Sequence, residues 1–137
     1  MENCIFCKII NGEIPSTTIF EDENVKVILD IAPAAKGHAV LLLKEHVANV
    51  FELNSELAGK VFSVVPRVAA AIKEELGCDG LNLLQNNGVA AGQTVFHLHI
   101  HFIPRWDNDT IQIKWRTGGY EDGEAAALAE RIAMRLA

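Results

Sequence analysis

Residues 97–103, His-Leu-His-Ile-His-Phe-Ile, alternate three histidines with large apolar residues. This strict alternation predicts a half-buried β-strand, because successive side chains of a strand point to opposite faces. The three histidines then share one face, while Leu98, Ile100 and Phe102 point into a core. Pro104 ends the run. The chain must therefore build a sheet around this strand, with imidazoles on one side and an apolar core on the other.

The spacing of the histidines limits what they can do. A strand rises ~3.3 Å per residue, which puts the backbones of His97 and His101 roughly 13 Å apart. A single ion can hardly bind all three, so at least one imidazole has another task. Neutral imidazole is the side chain best suited to nucleophilic or acid–base chemistry near pH 7. The plainer alternative is a strand whose polar face merely happens to be rich in histidine.

This stretch resembles the histidine triad motif, His-φ-His-φ-His-φ-φ with φ apolar, at every position. The similarity covers roughly residues 4–105 and points to the Hint branch of the histidine triad (HIT) superfamily, in its bacterial zinc-binding type. The further segments that carry it are Cys4–Ile10, Phe20-Glu21-Asp22, Leu29-Asp30-Ile31, Lys36-Gly37-His38, Lys44-Glu45-His46 and Asn86 to Arg105. The chain departs from many relatives at Leu43, where they have proline, at Asn87, where they have an acidic residue, and at Thr94, where serine is frequent.

Length and composition favour one domain over residues 1–137, without linkers or repeats. The formal net charge of −6 argues against a nucleic-acid-binding surface. No apolar run approaches the ~20 residues of a membrane helix, and the N-terminus lacks a leader pattern. We therefore expect a cytoplasmic protein that binds neither nucleic acid nor membrane. The three cysteines argue against a disulfide framework, and Cys78 is expected to be a structural thiol.

The order of the predicted elements favours an α+β fold. Besides the histidine-bearing strand, the predicted strands are Thr18–Glu21, Val25–Leu29, Ala39–Leu43 and Leu81–Gln85. Asn54 or Ser55 is expected to cap a helix that runs to Leu76, with Gly77 as its stop. The resemblance implies a HIT-like fold, an antiparallel sheet of about five strands with one long helix and short terminal helices. It also implies a homodimer whose sheets join.

Cys4 and Cys7 form a Cys-x-x-Cys pair near the N-terminus. In a cytosolic chain such a pair is either redox-active or half of a zinc site, and this one does not follow a strand. Zinc needs two more ligands, which the resemblance places at His46 and His97. These four residues would form a structural zinc site that joins the N-terminus to the histidine-bearing strand.

The resemblance also implies the catalytic residues. His99 is the implied nucleophile that attacks the α-phosphorus, while its second ring nitrogen bonds to the carbonyl of His97. His101 would bind phosphate oxygens or help to protonate the leaving group. His38 would support the histidine face, although a histidine at the start of a buried strand is more often a satisfied core group.

Nucleotide-binding residues are expected in two groups. Asp30 either starts a turn or, as the resemblance implies, accepts hydrogen bonds from a ribose diol. The loop after Asn86 could hold a phosphate through its backbone amides and the Thr94 hydroxyl, although most such loops only turn. By resemblance, the residues around the phosphate are Asn86, Gly92, Gln93 and Thr94. Those around the base are Phe6, Ile9, Ile14, Ile28 and Ile31.

The resemblance therefore implies a nucleotide hydrolase or nucleotidyl transferase that acts through a nucleotidyl-histidine intermediate. The expected substrates are purine nucleoside 5′-phosphoramidates or aminoacyl adenylates. A dinucleoside polyphosphate hydrolase and a nucleotide-binding interaction protein with little turnover are the alternatives. A third interpretation is a zinc protein whose histidines bind only metal.

Overall fold

Five strands form one antiparallel sheet, and the computed structural model describes residues 3–137. The strands are β1 (Thr18–Glu21), β2 (Val25–Leu29), β3 (Ala39–Leu43), β4 (Gly80–Leu84) and β5 (His99–Arg105). The helices are α1 (Ile5–Ile10), α2 (Ser55–Leu76) and α3 (Glu124–Leu136), with 3₁₀ turns at Val50–Glu52 and Val89–Ala91. The strand order is β1-β2-β3-β5-β4. The predicted α+β architecture is therefore confirmed, and β4 begins and ends one residue earlier than expected.

The β1–β2 hairpin is closed by the side chain of Asp22. Its carboxylate accepts hydrogen bonds from the backbone N–H groups of Asn24 and Val25, both at 2.8 Å. β1 carries an irregularity in its pairing between Thr18 and Phe20, whereas β2 pairs with β3 in regular register. The hairpin thus ends the sheet on one side with a bulged edge strand.

The histidine-bearing strand differs from the sequence prediction at both ends. β5 begins at His99, although Leu98 still exchanges backbone hydrogen bonds with Val47 and Leu43 outside the regular ladder. Pro104 lies inside β5 rather than ending it. The ladder with β3 stops at Phe102, so Pro104 faces a neighbour only on the β4 side. A proline is tolerated there because one side of the strand needs no N–H donor.

Helix α2 covers one face of the sheet. Asn54 caps it by accepting a hydrogen bond from the Leu57 N–H at 2.8 Å, and Gly77 ends it in the left-handed conformation with φ of 62°. The buried residues of this helix are Val61, Val64, Val65, Val68 and Ile72. They join Leu98, Ile100 and Phe102 in the main core, which leaves the alternating histidines on the opposite face.

Helix α1 packs on that opposite face. Ile9 is buried there with Ile28, Val40 and Leu42, and Phe6, Ile10 and Ile14 pack around them. At the other end of the chain, none of the side chains of α3 is buried. Among the residues that the structure describes, no helix combines the length and the apolar character needed to cross a bilayer. Helix α1 therefore covers part of the sheet face that carries the histidines.

Candidate active site and metal-binding cluster

His99 lies on β5 beneath the ring of Phe6, which meets it edge-on with 4.8 Å between ring centroids. Its Nδ1 is 2.6 Å from the backbone carbonyl oxygen of His97. Since a carbonyl only accepts, Nδ1 carries the hydrogen, and Nε2 keeps its lone pair. Burial lowers the pKa of His99, although the bond to His97 and the nearby Asp30 carboxylate oppose the shift. His99 is therefore a neutral imidazole with one nucleophilic nitrogen at neutral pH.

His38 and His101 form a hydrogen-bonded pair beside His99. The backbone N–H of Ala34 donates to Nδ1 of His38 at 2.9 Å, which leaves the hydrogen of a neutral His38 on Nε2. That Nε2 is 2.9 Å from Nδ1 of His101. His101 then accepts at Nδ1 and presents Nε2–H as a donor. Burial and the neighbouring His99 and His38 lower the pKa of His101 to about 4, so it is neutral as well.

Asp30 follows β2 and uses its two carboxylate oxygens differently. Oδ1 accepts a hydrogen bond from the Ala32 N–H at 2.9 Å, which is the turn interaction of a strand-end aspartate. Oδ2 lies 3.6 Å from Nε2 of His38. One oxygen thus holds the turn, while the second faces the imidazole cluster.

These groups border a cavity of about 780 Å³, here named the histidine cavity. His99 and His101 line it together with Asp30 and Thr94. All five residues expected around a base also line it, namely Phe6, Ile9, Ile14, Ile28 and Ile31. Among the described residues that line it there is no lysine or arginine. An anion bound here must therefore rely on imidazole, hydroxyl and backbone donors.

Three residues expected around a phosphate do not line this cavity, namely Asn86, Gly92 and Gln93. The buried amide of Gln93 accepts from the Gly88 N–H at 2.7 Å and donates to the carbonyls of Ala48 at 2.7 Å and Val95 at 3.1 Å. Its side chain thus fixes the loop from inside. His38 is also buried behind His101 rather than at the cavity wall.

A second cluster lies at the N-terminal end of α1 and contains Cys4, Cys7, His46 and His97. All four ligand atoms lie within 4.8 Å of one another. Nδ1 of His97 is 3.3 Å from Cys4 Sγ and 3.5 Å from Cys7 Sγ, and Nδ1 of His46 is 3.3 Å from Cys7 Sγ. The two Nδ1 atoms are 3.0 Å apart. Ligand atoms of a tetrahedral zinc site are separated by about 3.3–3.8 Å, close to these values.

The protonation of this cluster suits a cation. Nε2 of His97 is 2.6 Å from the carbonyl oxygen of Leu43, so it carries the hydrogen and leaves Nδ1 with a lone pair aimed at the thiols. Burial, followed by the adjacent Cys4 thiol, raises the pKa of Cys7. A metal ion would hold both sulfurs as thiolates. The four residues could therefore hold a metal ion.

A family model described as HIT domain matches residues 11–108. The chain belongs to the HIT domain family. Protein hit of Bacillus subtilis is 47% identical over 139 residues, which cover 99% of this chain and 96% of that protein. Adenosine 5′-monophosphoramidase hnt1 of Schizosaccharomyces pombe is 38% identical over 98% of both chains. A crystal structure of a HIT family member from Bacillus subtilis has a TM-score of 0.94 and 46% identity, again over 98% of each chain.

Several residues that line the histidine cavity were not expected from the sequence. The segment from Pro15 to Thr17 and the residues Val40 and Val95 line it as well. Val40 is the register partner of Ile28, which was expected at the base, so the pairing of β2 with β3 puts both on the same sheet face. Alignment of the two predicted strands in this register would have indicated Val40. Nothing in the sequence marks the segment from Pro15 to Thr17 beyond its turn composition.

Proposed function

We propose that the chain hydrolyses purine nucleoside 5′-phosphoramidates through a nucleotidyl-histidine intermediate. The observation that carries this proposal is the tautomer of His99, in which the carbonyl of His97 holds Nδ1–H and Nε2 keeps its lone pair. His99 lines a cavity together with apolar side chains and Asp30. The relative from Schizosaccharomyces pombe is named as an adenosine 5′-monophosphoramidase, which supports the same chemistry.

The reaction follows from the protonation of the imidazoles. Nε2 of His99 attacks the α-phosphorus and forms a phosphorus–nitrogen bond while the bond to the leaving nitrogen breaks. The leaving nitrogen takes up a proton from solvent as its bond to phosphorus breaks, and it departs as the neutral amine. Water then attacks the same phosphorus, restores neutral His99 and releases the nucleoside monophosphate and one proton. His101 donates its Nε2–H to a phosphate oxygen throughout, a role that its hydrogen bond to His38 favours over that of an acid.

We also propose that the cysteine–histidine cluster holds a structural Zn²⁺. Two thiolates and two imidazoles are the ligands that tetrahedral zinc prefers, and a set of four leaves no open position for substrate. The metal would supply charge to hold both sulfurs and His97 in place. The chain's three cysteines are free thiols, which suits the reducing cytoplasm that we propose as its location.

The test of the proposed function is His99→Ala. We expect at least a ~10³-fold loss of kcat with adenosine 5′-phosphoramidate, because the covalent route is gone, and nearly unchanged binding of AMP. Rapid quenching of the wild-type reaction should trap a nucleotidyl adduct on the peptide that contains His99. His101→Gln, which keeps the nucleophile, is the matched control and should still form the adduct.

Two results would contradict the proposal. Near-wild-type turnover by His99→Ala would exclude the covalent route. Tight binding of AMP by a wild-type protein that hydrolyses no phosphoramidate would indicate a nucleotide-binding interaction protein instead.

A further inference from the structure

A second cavity adjoins the histidine cavity, and the proposed reaction does not use it. Its volume is about 610 Å³. It is lined by Asn3, Cys4, Ile5, His46, Thr94, Val95 and Phe96, and is here named the Phe96 cavity. Ile5, Thr94 and Val95 line both cavities. The two spaces therefore meet along a shared wall that contains the Thr94 hydroxyl.

We propose that the Phe96 cavity receives the leaving group of the substrate and selects an uncharged, apolar amine or acyl group. This inference rests on the proposed function, because it assigns the second half of the same substrate. The groups suited to a nucleoside and to nucleophilic attack, Asp30, His99 and His101, line only the histidine cavity. In-line displacement requires the leaving group to depart on the side opposite the nucleophile. Thr94 lines both cavities and His99 lines only the histidine cavity, so a leaving group that departs from the side opposite His99 and passes Thr94 enters the Phe96 cavity.

The walls of the Phe96 cavity favour apolar groups. Ile5 and Phe96 leave 47% and 46% of their surfaces exposed, and Val95 adds a third apolar side chain. Covering such surface with an apolar ligand is favourable, because it removes both partners from water. Two polar side chains of this cavity, Asn3 and Thr94, have no ionisable group.

The charge of both cavities argues against a second nucleotide as the leaving group. Among the described residues, neither lining contains a lysine or an arginine. Zinc does not change this, since one Zn²⁺ bound by two thiolates and two neutral imidazoles leaves the cluster without net charge. The phosphates of a dinucleoside polyphosphate would therefore meet no lysine or arginine among the described residues that line these cavities. The structure favours phosphoramidates and acyl adenylates over that alternative substrate class.

The kinetic test compares leaving amines that differ in charge. We expect kcat/KM for N-(2-phenylethyl) adenosine 5′-phosphoramidate to exceed that for the N-(2-carboxyethyl) derivative at least about tenfold. Phe96→Ala should reduce this ratio to within about threefold of unity. Phe62→Ala is the matched control, because Phe62 is 54% exposed and lines neither cavity, and should keep the wild-type ratio. Equal kcat/KM values for the two amines in the wild type would overturn the inference.

A binding test separates this inference from the proposed function. Adenosine 5′-sulfamates with an N-phenylpropionyl or an N-succinyl group resist attack, and their dissociation constants can be measured by calorimetry. We expect the phenylpropionyl compound to bind at least about tenfold more tightly, and Phe96→Ala to remove most of that difference. This result would support the apolar subsite even if the protein hydrolysed no phosphoramidate. Equal affinities in the wild type would overturn the subsite, even if His99→Ala had lost all turnover.

Discussion

At the scale of single residues, the hydrogen-bond partner of each imidazole decides which of its nitrogens is left for chemistry. The carbonyl of Leu43 takes Nε2–H of His97 and leaves Nδ1 for a metal. The carbonyl of His97 takes Nδ1–H of His99 and leaves Nε2 for attack. His38 donates to Nδ1 of His101, so His101 keeps its hydrogen on Nε2 as a donor. His97 and His101 thus carry their hydrogen on Nε2, whereas His99 carries its hydrogen on Nδ1, because each ring contacts a different partner. The roles that we propose for the three imidazoles rest on these differences.

Asp30 allows its turn role to be separated from a ribose role. Asp30→Asn keeps an oxygen that can accept from the Ala32 N–H, but replaces the second acceptor by an NH₂ donor. A hydrogen bond to a charged group is worth ~1.5–3 kcal/mol. We therefore expect Asp30→Asn to lose about tenfold or more of the wild-type preference, in kcat/KM, for a ribonucleoside over a 2′-deoxynucleoside phosphoramidate. Its melting temperature should stay near that of the wild type.

Asp30→Ala provides the comparison. It should lose the ribose preference and also melt at a lower temperature, because the Ala32 N–H loses its acceptor. An unchanged ribose-to-deoxyribose ratio in both variants would leave Asp30 with the turn role alone.

His101 should make the stability of the protein depend on pH. Its folded pKa is about 4, lowered by burial, His99 and His38 against the attraction of Asp30. A histidine in an unfolded chain titrates near 6.5. Between these pH values the unfolded chain binds a proton that the folded chain does not, so the free energy of unfolding falls as the pH drops from about 6.5 towards about 4. Urea unfolding should therefore show a lower midpoint at pH 5 than at pH 7.

His101→Gln isolates the contribution of His101 to the pH dependence of stability, because glutamine has no charge at either pH. The variant keeps all four residues of the cysteine–histidine cluster. We expect its urea midpoint to decrease less between pH 7 and pH 5 than that of the wild type. The same decrease in both proteins would show that other groups cause the acid sensitivity.

At the scale of elements, helix α1 connects the cysteine–histidine cluster to the histidine cavity. Cys4 caps this short helix, and Phe6 and Ile9 line the cavity. Full burial of such a side chain contributes ~1.5–3 kcal/mol. If α1 detaches when zinc is removed, we expect the dissociation constant of AMP to rise about tenfold or more and the melting temperature to fall. Calorimetry and thermal melts with and without a chelator measure both effects, and Cys4→Ser should reproduce them.

Cys78→Ser is the matched control, since Cys78 is a buried thiol outside the cluster. Its melting temperature should also fall, because a hydroxyl is costly to bury. Its zinc content, about one per chain, and its affinity for AMP should remain those of the wild type. A zinc-free wild-type protein that binds AMP as tightly as the zinc form would contradict the coupling through α1.

The elements differ in how well the sequence predicts them. The capped helix α2 and the strands β1 and β2 agree with the prediction. Asn54, Gly77 and Asp22 fix their ends by acting on residues next to them in the chain. The predicted ends of β5 were wrong, because the actual ends depend on how far its pairing with β3 and β4 extends. The inward turn of the Gln93 amide also depends on distant groups, since one of its acceptors is the carbonyl of Ala48. Such features need the packed structure.

At the scale of the whole molecule, the sheet has two open edges of different quality. β1 is four residues long and bulged between Thr18 and Phe20, which hinders pairing with another strand. β4 is regular over five residues, and among residues 3–137 it pairs with β5 alone. Unpaired N–H and C=O groups along a regular edge favour addition of another strand. We therefore propose that the chain forms a homodimer by pairing of β4 with its copy in a second chain.

Leu83 offers a test of this edge, because it lies on β4 and is 47% exposed. In a homodimer joined at β4, two copies of Leu83→Lys would bring like charges together near the two-fold axis and remove apolar contact. We expect the wild type to behave as a dimer in light scattering after size exclusion, and Leu83→Lys to dissociate to monomers at micromolar concentration. Ile19→Lys is the matched control at the other edge, since Ile19 is 45% exposed on β1, and should remain a dimer. A wild-type monomer, or dissociation by Ile19→Lys alone, would exclude pairing through β4.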